Sequence, residues 1–283
     1  MKQADQSAGC ACMSSVTGHA ERASCVDEMV NDIRSFCMRI GVIGTGFIGK
    51  TLAVKLSAAG HEVKVANSRG PETIGADLLV SGARAVAAAD AVRDVDVVIL
   101  SIPLNRIPDI APLVAAVRAE TVVIDTSNYY PSRDSVIEAI EAGQVESLWV
   151  AEQLGLPIVK AWNAIGAYSL AERGTPAGTD GRIAIPVAAD DEKARAVGMA
   201  LVEDTGFDGF DAGTLAQSWR QQPGAPCYCT DLTSDEMRTA LAAAEVARLP
   251  KRRDLAAAVM FERIEELRST PEHAVIVNRA VFM

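Results

Sequence analysis

One glycine-rich turn constrains this chain more than any other stretch. The apolar run at 39–43 breaks into Gly-Thr-Gly-Phe-Ile-Gly at 44–49, and a helical pattern follows. A β-branched run that turns on glycines into a helix is typical of the unit that holds the pyrophosphate of a dinucleotide at the helix N-terminus. In that unit Gly44 permits the tight turn, Gly46 lets the backbone approach phosphate oxygens, and Gly49 lets the helix pack near the strand. A glycine-rich turn of another α/β domain is the alternative, so the rest of the chain has to decide.

The elements predicted after this turn alternate between strand and helix with short connections. The predicted strands are 39–43, 62–66, 84–86, 96–102, 121–124 and 157–160. The predicted helices are 47–59, 71–80, a short one ending at 92, 107–117, 132–142 and 146–154. This order predicts an α/β fold, a Rossmann-type doubly wound parallel sheet, over residues 38–180.

A smaller C-terminal α/β and helical part is predicted over residues 181–283, for substrate binding or dimerisation. Its predicted strands are 183–188 and 207–210, and its predicted helices are 190–204, 234–249, 251–267 and a short one within 271–283. An aspartate is expected to cap the helix at 190–204.

Residues 1–37 differ from the rest, since they lack sustained periodicity and are rich in small and acidic residues. They contain no basic start followed by an apolar core, so they are not a secretory signal. We expect a disordered extension or a start-site artefact, because Met38 would open the first strand directly.

Composition narrows the classes of partner. A net charge of -10 on 283 residues argues against nucleic acid or anionic membrane as the main partner. The longest apolar run, 97–104, is too short to span a membrane and is typical of a buried strand. Six cysteines lack the paired spacing of a zinc site, so we expect free thiols, no metal and a cytoplasmic protein. They are Cys10, Cys12, Cys25, Cys37, Cys227 and Cys229.

The end of the second predicted strand indicates which nucleotide binds. In NAD sites an Asp or Glu about twenty residues past the glycines binds the ribose hydroxyls and would repel the extra phosphate of NADP. Here the strand ends in Asn67-Ser68-Arg69, with no acidic residue. Asn67 and Ser68 can hydrogen-bond to phosphate, and Arg69 offers a planar cationic fork. The sequence therefore predicts NADP rather than NAD; a generic polar loop is the alternative.

Ligands of doubly wound sheets lie beyond the carboxyl ends of the strands, and two more strand ends carry residues suited to a nucleotide. Ser101, Ile102 and Pro103 are expected beside the nicotinamide ribose, and Thr126 and Asn128 follow the next strand. A simpler reading is that Ser101 only caps its strand.

The last predicted strand of the sheet ends in Lys160-Ala-Trp-Asn163. A lysine and an asparagine three residues apart could orient or polarise a carbonyl during hydride transfer, so Lys160 and Asn163 are the catalytic candidates. A solvated lysine at a strand terminus is the alternative. The three histidines, His19, His61 and His273, lie away from these strand ends.

Four motifs together resemble a known family. They are Gly-Thr-Gly-Phe-Ile-Gly at 44–49, Asn-Ser-Arg-Gly-Pro-Glu-Thr at 67–73, Asp-Thr-Ser-Asn-Tyr-Tyr-Pro at 125–131 and Lys-Ala-Trp-Asn at 160–163. They resemble the coenzyme F420-dependent NADP oxidoreductases, especially the bacterial NADP-binding reductases among them, and the ferric-reductase domain of the Steap proteins has a related architecture. The similarity runs from about residue 38 to 167 and is looser beyond.

The resemblance implies an NADP site at Gly44, Thr45, Gly46, Phe47, Ile48, Asn67, Ser68 and Arg69. In the archetype of the family, hydride passes directly between nicotinamide and a stacked deazaflavin, so no protein acid or base is required. The C-terminal part departs from the archetype.

We therefore expect an NADP(H)-dependent oxidoreductase that transfers hydride to coenzyme F420, a flavin or a small organic acceptor. An NADPH-dependent imine or carbonyl reductase using Lys160 and Asn163 is one alternative. A non-catalytic NADP-sensing protein is another, and the helices within 233–268 would then serve a partner. The expected partners are a small-molecule substrate and a second copy of the chain as a homodimer.

Overall fold

A parallel sheet of six strands forms the centre of the computed structural model, which describes residues 37–283. The strand order is β3-β2-β1-β4-β5-β6, so the direction of winding reverses between β1 and β4. This is the order of dinucleotide-binding sheets, and the predicted fold class is confirmed. The extension predicted at residues 1–37 lies outside the described residues except for Cys37.

The eight strands are all short and run parallel to their neighbours within each sheet. They are β1 (Arg39–Ile43), β2 (Glu62–Ala66), β3 (Arg84–Ala85), β4 (Val97–Leu100), β5 (Val122–Asp125), β6 (Val159–Lys160), β7 (Ala184–Val187) and β8 (Asp208–Asp211). The last two form a separate two-stranded sheet.

The α-helices up to residue 172 connect the strands of the large sheet or follow its last strand. They are α1 (Phe47–Ala58), α2 (Ala76–Leu79), α3 (Ala88–Ala91), α4 (Ile107–Val114), α5 (Pro131–Asp134), α6 (Glu138–Glu141), α7 (Glu146–Leu154) and α8 (Ala167–Glu172). Those that follow are α9 (Glu192–Asp204), α10 (Ser234–Ala242), α11 (Leu249–Glu262), α12 (Ile264–Ser269) and α13 (His273–Phe282). Short 3-10 helices cover Pro71–Thr73, Leu104–Arg106, Leu215–Gln221 and Val246–Arg248.

Four predicted helices are wrong in their extent. The helix expected at 251–267 divides at Arg263 into α11 and α12. The helix expected at 132–142 is broken into α5 and α6 by Ser135, which has a left-handed φ of 63°. The helix expected at 71–80 divides into a 3-10 turn and α2. The helix expected at 234–249 ends at Ala242, and Pro250 lies in the first turn of α11 instead of separating two helices.

The small sheet is joined to the large one. A bridge pairs Lys160 at the end of β6 with Ala188 just after β7. Helix α9, capped by the Asp191 side chain, packs across both sheets, and a Cβ on its Gly198 would come within 2.8 Å of the Val159 side chain. The core on this face is thus shared by residues before and after position 180. The division into parts at that position stays a prediction.

The last helix, α13, packs onto the C-terminal part through Phe282, which is buried. Among the described residues, no helix is long and apolar enough to cross a membrane.

Candidate functional site

The turn after β1 lies where the winding of the sheet reverses, against the end of β4. Gly44 has a φ of 106°, and a Cβ there would come within 2.1 Å of the Ser101 carbonyl oxygen. A Cβ on Gly49 would come equally close, 2.1 Å, to the carbonyl oxygen of Gly44. Both positions therefore exclude any side chain, because the obstacles are backbone atoms. These contacts fix the turn and bring α1 close to it.

Gly46 differs from its two neighbours in the motif. A Cβ there would meet nothing within 4 Å, so internal packing gives no reason for a glycine. Gly46 is the N-cap of α1, the cap makes no side-chain hydrogen bond, and the first turn contains no acidic residue. The first N–H groups of a helix lack intrahelical partners and attract anions. The open space above Gly46 fits a pyrophosphate held at this helix N-terminus.

Hydrogen bonds made by the Asn67 side chain hold the loop after β2 in place. The Asn67 side chain accepts from the Arg69 backbone N–H at 2.8 Å and donates to Thr73 Oγ1 at 2.9 Å. Its Nδ2 also lies 3.4 Å from Thr45 Oγ1, which links this loop to the glycine turn. Ser68 and Arg69 are exposed, and the Arg69 guanidinium has no carboxylate partner within residues 37–283.

Lys50 and Lys64 are the other cations near these strands. Lys50 forms a salt bridge with Asp77, and Lys64 donates to the backbone carbonyls of Asp90 and Arg93. Arg69 is therefore the cation of this loop whose charge stays available.

The segments after β4 and β5 lie next to the glycine turn, at the same carboxyl edge of the sheet. The space beyond this edge, where ligands of doubly wound sheets bind, is called the cleft. Ser101 and Ile102 are half-buried and Pro103 is exposed, with the Ser101 N–H bound to the Ile43 carbonyl at 2.8 Å. Thr126 is buried and donates through both its N–H and its hydroxyl to the Leu100 carbonyl, at 3.0 and 3.1 Å. These residues hold the two strand ends together, and Thr126 has its donors committed to that role.

Lys160 has no exposed surface. Its Nζ donates to Asp125 Oδ2 at 2.6 Å and to the Ser127 carbonyl oxygen at 2.5 Å, and the Asp125 side chain is equally buried. Asp125 Oδ1 accepts from the Ser127 N–H at 3.0 Å. The ion pair therefore braces the turn after β5.

Asn163 is buried in a chain of side-chain amides. Its Nδ2 donates to Asn128 Oδ1 at 3.1 Å and to the Gln221 carbonyl at 2.8 Å, while its Oδ1 accepts from Gln221 Nε2 at 2.9 Å. Asn128 Nδ2 returns a bond to the Asn163 carbonyl at 2.9 Å. Trp162, between the two catalytic candidates, has a left-handed φ of 55° that turns the chain toward this network. A direct catalytic role for Lys160 and Asn163 stays a prediction.

The structure adds a group of residues that the sequence analysis did not single out. Tyr130 donates its hydroxyl to the Tyr228 hydroxyl at 3.0 Å, joining the end of β5 to the C-terminal part. Burial raises the pKa of both phenols, so both stay neutral. A neutral phenol hydroxyl can donate a hydrogen bond or a proton.

Glu146, the first residue of α7, is buried beside this group. Its Oε2 accepts from the Tyr129 N–H at 3.1 Å, and its own N–H donates to Gln222 Oε1 at 3.2 Å. Burial raises the pKa of the Glu146 carboxyl to about 7, and the positive charge of Lys160 opposes that shift. The sequence signal was an acidic residue at the start of a helix, which is ordinarily only a favourable helix terminus.

Comparisons with known proteins show the family of this chain and its fold relatives. Residues 39–129 match the family model described as NADP oxidoreductase, coenzyme F420-dependent. The Escherichia coli K12 protein YjhV is 39% identical over 112 residues, which are 38% of this chain and 76% of that protein.

Two solved structures are also similar. A hypothetical protein of Sinorhizobium meliloti has a TM-score of 0.60 and 30% identity, and the match covers 71% of this chain and 97% of that one. An Arthrobacter protein, named as a candidate F420-dependent NADP reductase, has a TM-score of 0.50 and 24% identity, covering 64% and 87%. The second likeness is to the fold alone.

Proposed function

This chain belongs to the family of coenzyme F420-dependent NADP oxidoreductases, and from that premise we propose that it transfers hydride between NADP(H) and a deazaflavin or flavin-like acceptor. The family supports NADP(H) binding and oxidoreductase chemistry in general. The nature of the acceptor, the residues that act on it and a homodimeric state are the parts proposed.

The open N-terminus of α1 supports the placement of the nucleotide. The pyrophosphate would lie above Gly46 against the N–H groups of Phe47 and Ile48, with Thr45 and Gly49 shaping the turn. The exposed Ser68 and Arg69 would bind the extra phosphate that distinguishes NADP from NAD. The residues of this chain thus bind and orient the nucleotide, and bound nicotinamide supplies the hydride.

The hydrogen bonding of the side chains after β5 and β6 is the observation that supports a deazaflavin or flavin-like acceptor. The Lys160 ammonium group donates to Asp125 and Ser127. The Asn163 side-chain amide donates to Asn128 and Gln221. A carbonyl or imine substrate needs a group that polarises it, whereas transfer between two stacked rings needs mainly positioning. A cleft wall whose donors are internally paired supports transfer between rings. Asn128 would form part of that wall. Ser101, Ile102 and Pro103, which follow β4, would lie beside the nicotinamide.

The test follows NADPH oxidation by the full chain against F420, FMN, FAD, ferric chelates and a panel of ketones and imines. We expect turnover with a deazaflavin or flavin and little with the ketones and imines. NADPH binding without oxidation of NADPH by any acceptor would favour the non-catalytic NADP-sensing protein instead.

Imine or carbonyl reduction is the second candidate, and the hydroxyl pair of Tyr130 and Tyr228 favours it. A neutral phenol can give a proton to the oxygen or nitrogen that accumulates charge during hydride transfer. Under this alternative, Tyr130→Phe abolishes ketone or imine turnover, whereas under the favoured proposal it leaves flavin reduction nearly unchanged.

A homodimer through the C-terminal helices is proposed from exposed apolar side chains on α11 and α12. Leu255, Phe261 and Ile264 are 53%, 81% and 42% exposed, and a second copy would cover them. The mass in solution by sedimentation tests this, with Phe261→Glu as the variant expected to be monomeric. A monomeric wild-type chain would overturn it.

A further inference from the structure

A cavity of about 520 Å³ lies between the loop at 173–183, the turn at Asp231 and helix α13. Ile183 precedes β7, whereas the bridge from Ala188 to Lys160 lies beyond the other end of that strand. At the rise of an extended chain these ends are roughly 16 Å apart. The cavity is thus distinct from the turn and strand ends assigned to the nucleotide.

The charges that line this cavity are balanced. Arg182 has its own partners, since its Nη1 donates to Glu203 Oε2 at 2.6 Å and to Asp208 Oδ1 at 2.7 Å. The other lining cations are Arg173 and Arg279, and the lining acids are Asp231 and Glu272. A pure anion would meet two carboxylates here and a pure cation would meet two guanidinium groups, so neither fits the whole cavity.

The cations of this cavity retain free donors. Arg173 approaches Asp231 only to 3.7 Å and is 44% exposed. Arg279 uses Nε and Nη2 on the carbonyls of Thr230 and Asp231, at 2.7 and 2.9 Å. Within residues 37–283 neither guanidinium has a close, bidentate carboxylate partner, so both can bind the carboxylate of a ligand.

The acidic side chains of this cavity have acceptor oxygens without a hydrogen-bond partner. The Asp231 side chain is only 4% exposed, and its Oδ2 accepts from Ser169 Oγ at 2.7 Å. Its Oδ1 has no hydrogen-bond partner, and the hydroxyl of the neighbouring lining residue Thr175 has none either. Buried polar atoms are normally paired, so two unpaired ones beside one cavity call for a ligand with hydrogen-bond donors. Within the described residues the Glu272 carboxylate has no hydrogen-bond partner, so it adds a second acceptor.

We propose that this cavity binds a zwitterionic amino acid with an apolar side chain. Arg173 and Arg279 would hold the carboxylate, Asp231 and Glu272 the ammonium group, and Ile183, Val275 and Ile276 the side chain. This site goes beyond the proposed hydride transfer and does not depend on it.

Calorimetric titration of the full chain, without any nicotinamide nucleotide, tests the proposal with three matched probes. L-leucine carries both charges, 3-methylbutylamine lacks the carboxylate, and 4-methylpentanoate lacks the ammonium group. We expect saturable binding of leucine. Each single-charge probe should bind at least about tenfold more weakly than leucine, because it lacks one set of charge-assisted hydrogen bonds. No saturable leucine binding, or equal binding of all three probes, would overturn the proposal.

Variants of exposed or half-exposed residues separate recognition from folding. Glu272→Gln and Arg173→Gln should each weaken leucine binding about tenfold and leave thermal stability unchanged. Glu138→Gln, an exposed acid on α6 away from the cavity, is the matched control and should bind leucine like the wild-type chain. Unchanged leucine binding in both cavity variants would place the leucine elsewhere and refute the assignment.

Discussion

The loops after β1 and β2 and the segments after β5 and β6 lie at the same edge of one sheet, yet their polar groups are satisfied in opposite ways. The first pair leaves the N-terminus of α1 without a capping side chain and exposes Ser68 and Arg69. The second pair buries Lys160, Asp125 and Asn163. Lys160 bonds to Asp125, and Asn163 bonds to Asn128 and Gln221. We interpret the first region as a surface that a ligand completes and the second as a rigid wall.

The largest expected effect comes from breaking the buried ion pair. Lys160→Met leaves the Asp125 carboxylate buried without its cation, which should lower the free energy of unfolding by about 3–5 kcal/mol. Removing both charges in Asp125→Asn/Lys160→Met should recover part of that loss. Urea denaturation of the three proteins measures it.

The activity of the double variant distinguishes a structural role of Lys160 from a catalytic one. If Lys160 only braces the turn, the folded double variant keeps hydride transfer to a flavin-like acceptor. A stable Lys160→Met protein that has lost all activity would instead show that the ammonium group acts on the substrate.

The glycine turn offers a matched pair of substitutions. Gly44→Ala places a methyl group against the Ser101 carbonyl at a φ of 106°, so we expect a loss of about 3 kcal/mol or more in stability. Gly46→Ala meets nothing within 4 Å and should change stability by less than about 1 kcal/mol. If phosphates lie above Gly46, that second variant loses at least tenfold in NADPH affinity. If Gly46→Ala binds NADPH with normal affinity, the pyrophosphate does not lie above Gly46.

These two regions also differ in how far the sequence could predict them. The glycine turn, the alternation of strands and helices and the absence of an acid after β2 are local features, because each is visible in residues close together in the chain. The environment of Lys160 is not local: its partners come from the turn after β5, and Asn163 bonds to Gln221, 58 residues away. A lysine at a strand end is usually solvated, so no pattern along the chain indicated that this one is fully buried.

The same reasoning explains the missed helix boundaries and the missed carboxyl group. Ser135 breaks a continuous helical pattern through its backbone conformation, which propensity alone does not specify. Glu146 is buried, and its hydrogen-bond partners Tyr129 and Gln222 come from other segments. Tertiary contacts decided both outcomes.

Glu146 gives a pH-dependent test of the wall. Its folded pKa of about 7 lies above the ordinary 4.5, so the native state binds more protons than the unfolded state between those values. Stability linked to this group is therefore complete below about pH 4.5 and is lost as pH rises through about 7, by roughly 3 kcal/mol.

Glu146→Gln removes that titration while keeping an oxygen for the Tyr129 N–H. The free energy of unfolding of the variant, relative to the wild-type chain, should rise by about 3 kcal/mol between pH 4.5 and about pH 8. Glu138→Gln serves as the control and should show a flat difference. A flat difference for Glu146→Gln as well would mean that this carboxyl is not buried in solution.

The smallest expected effect concerns Arg69, on the side of the cleft left open for a ligand. Arg69→Ala should weaken NADPH binding by roughly tenfold, because a charge-assisted hydrogen bond to phosphate is lost, and should leave NADH binding and thermal stability unchanged. Lys50→Gln is the matched control, since its charge already pairs with Asp77, and it should change NADPH affinity less than Arg69→Ala does. Fluorescence titration with both nucleotides measures the ratio. If wild-type affinities for NADPH and NADH are equal and Arg69→Ala changes neither, the exposed guanidinium does not select the nucleotide, and the openness of this loop needs another cause.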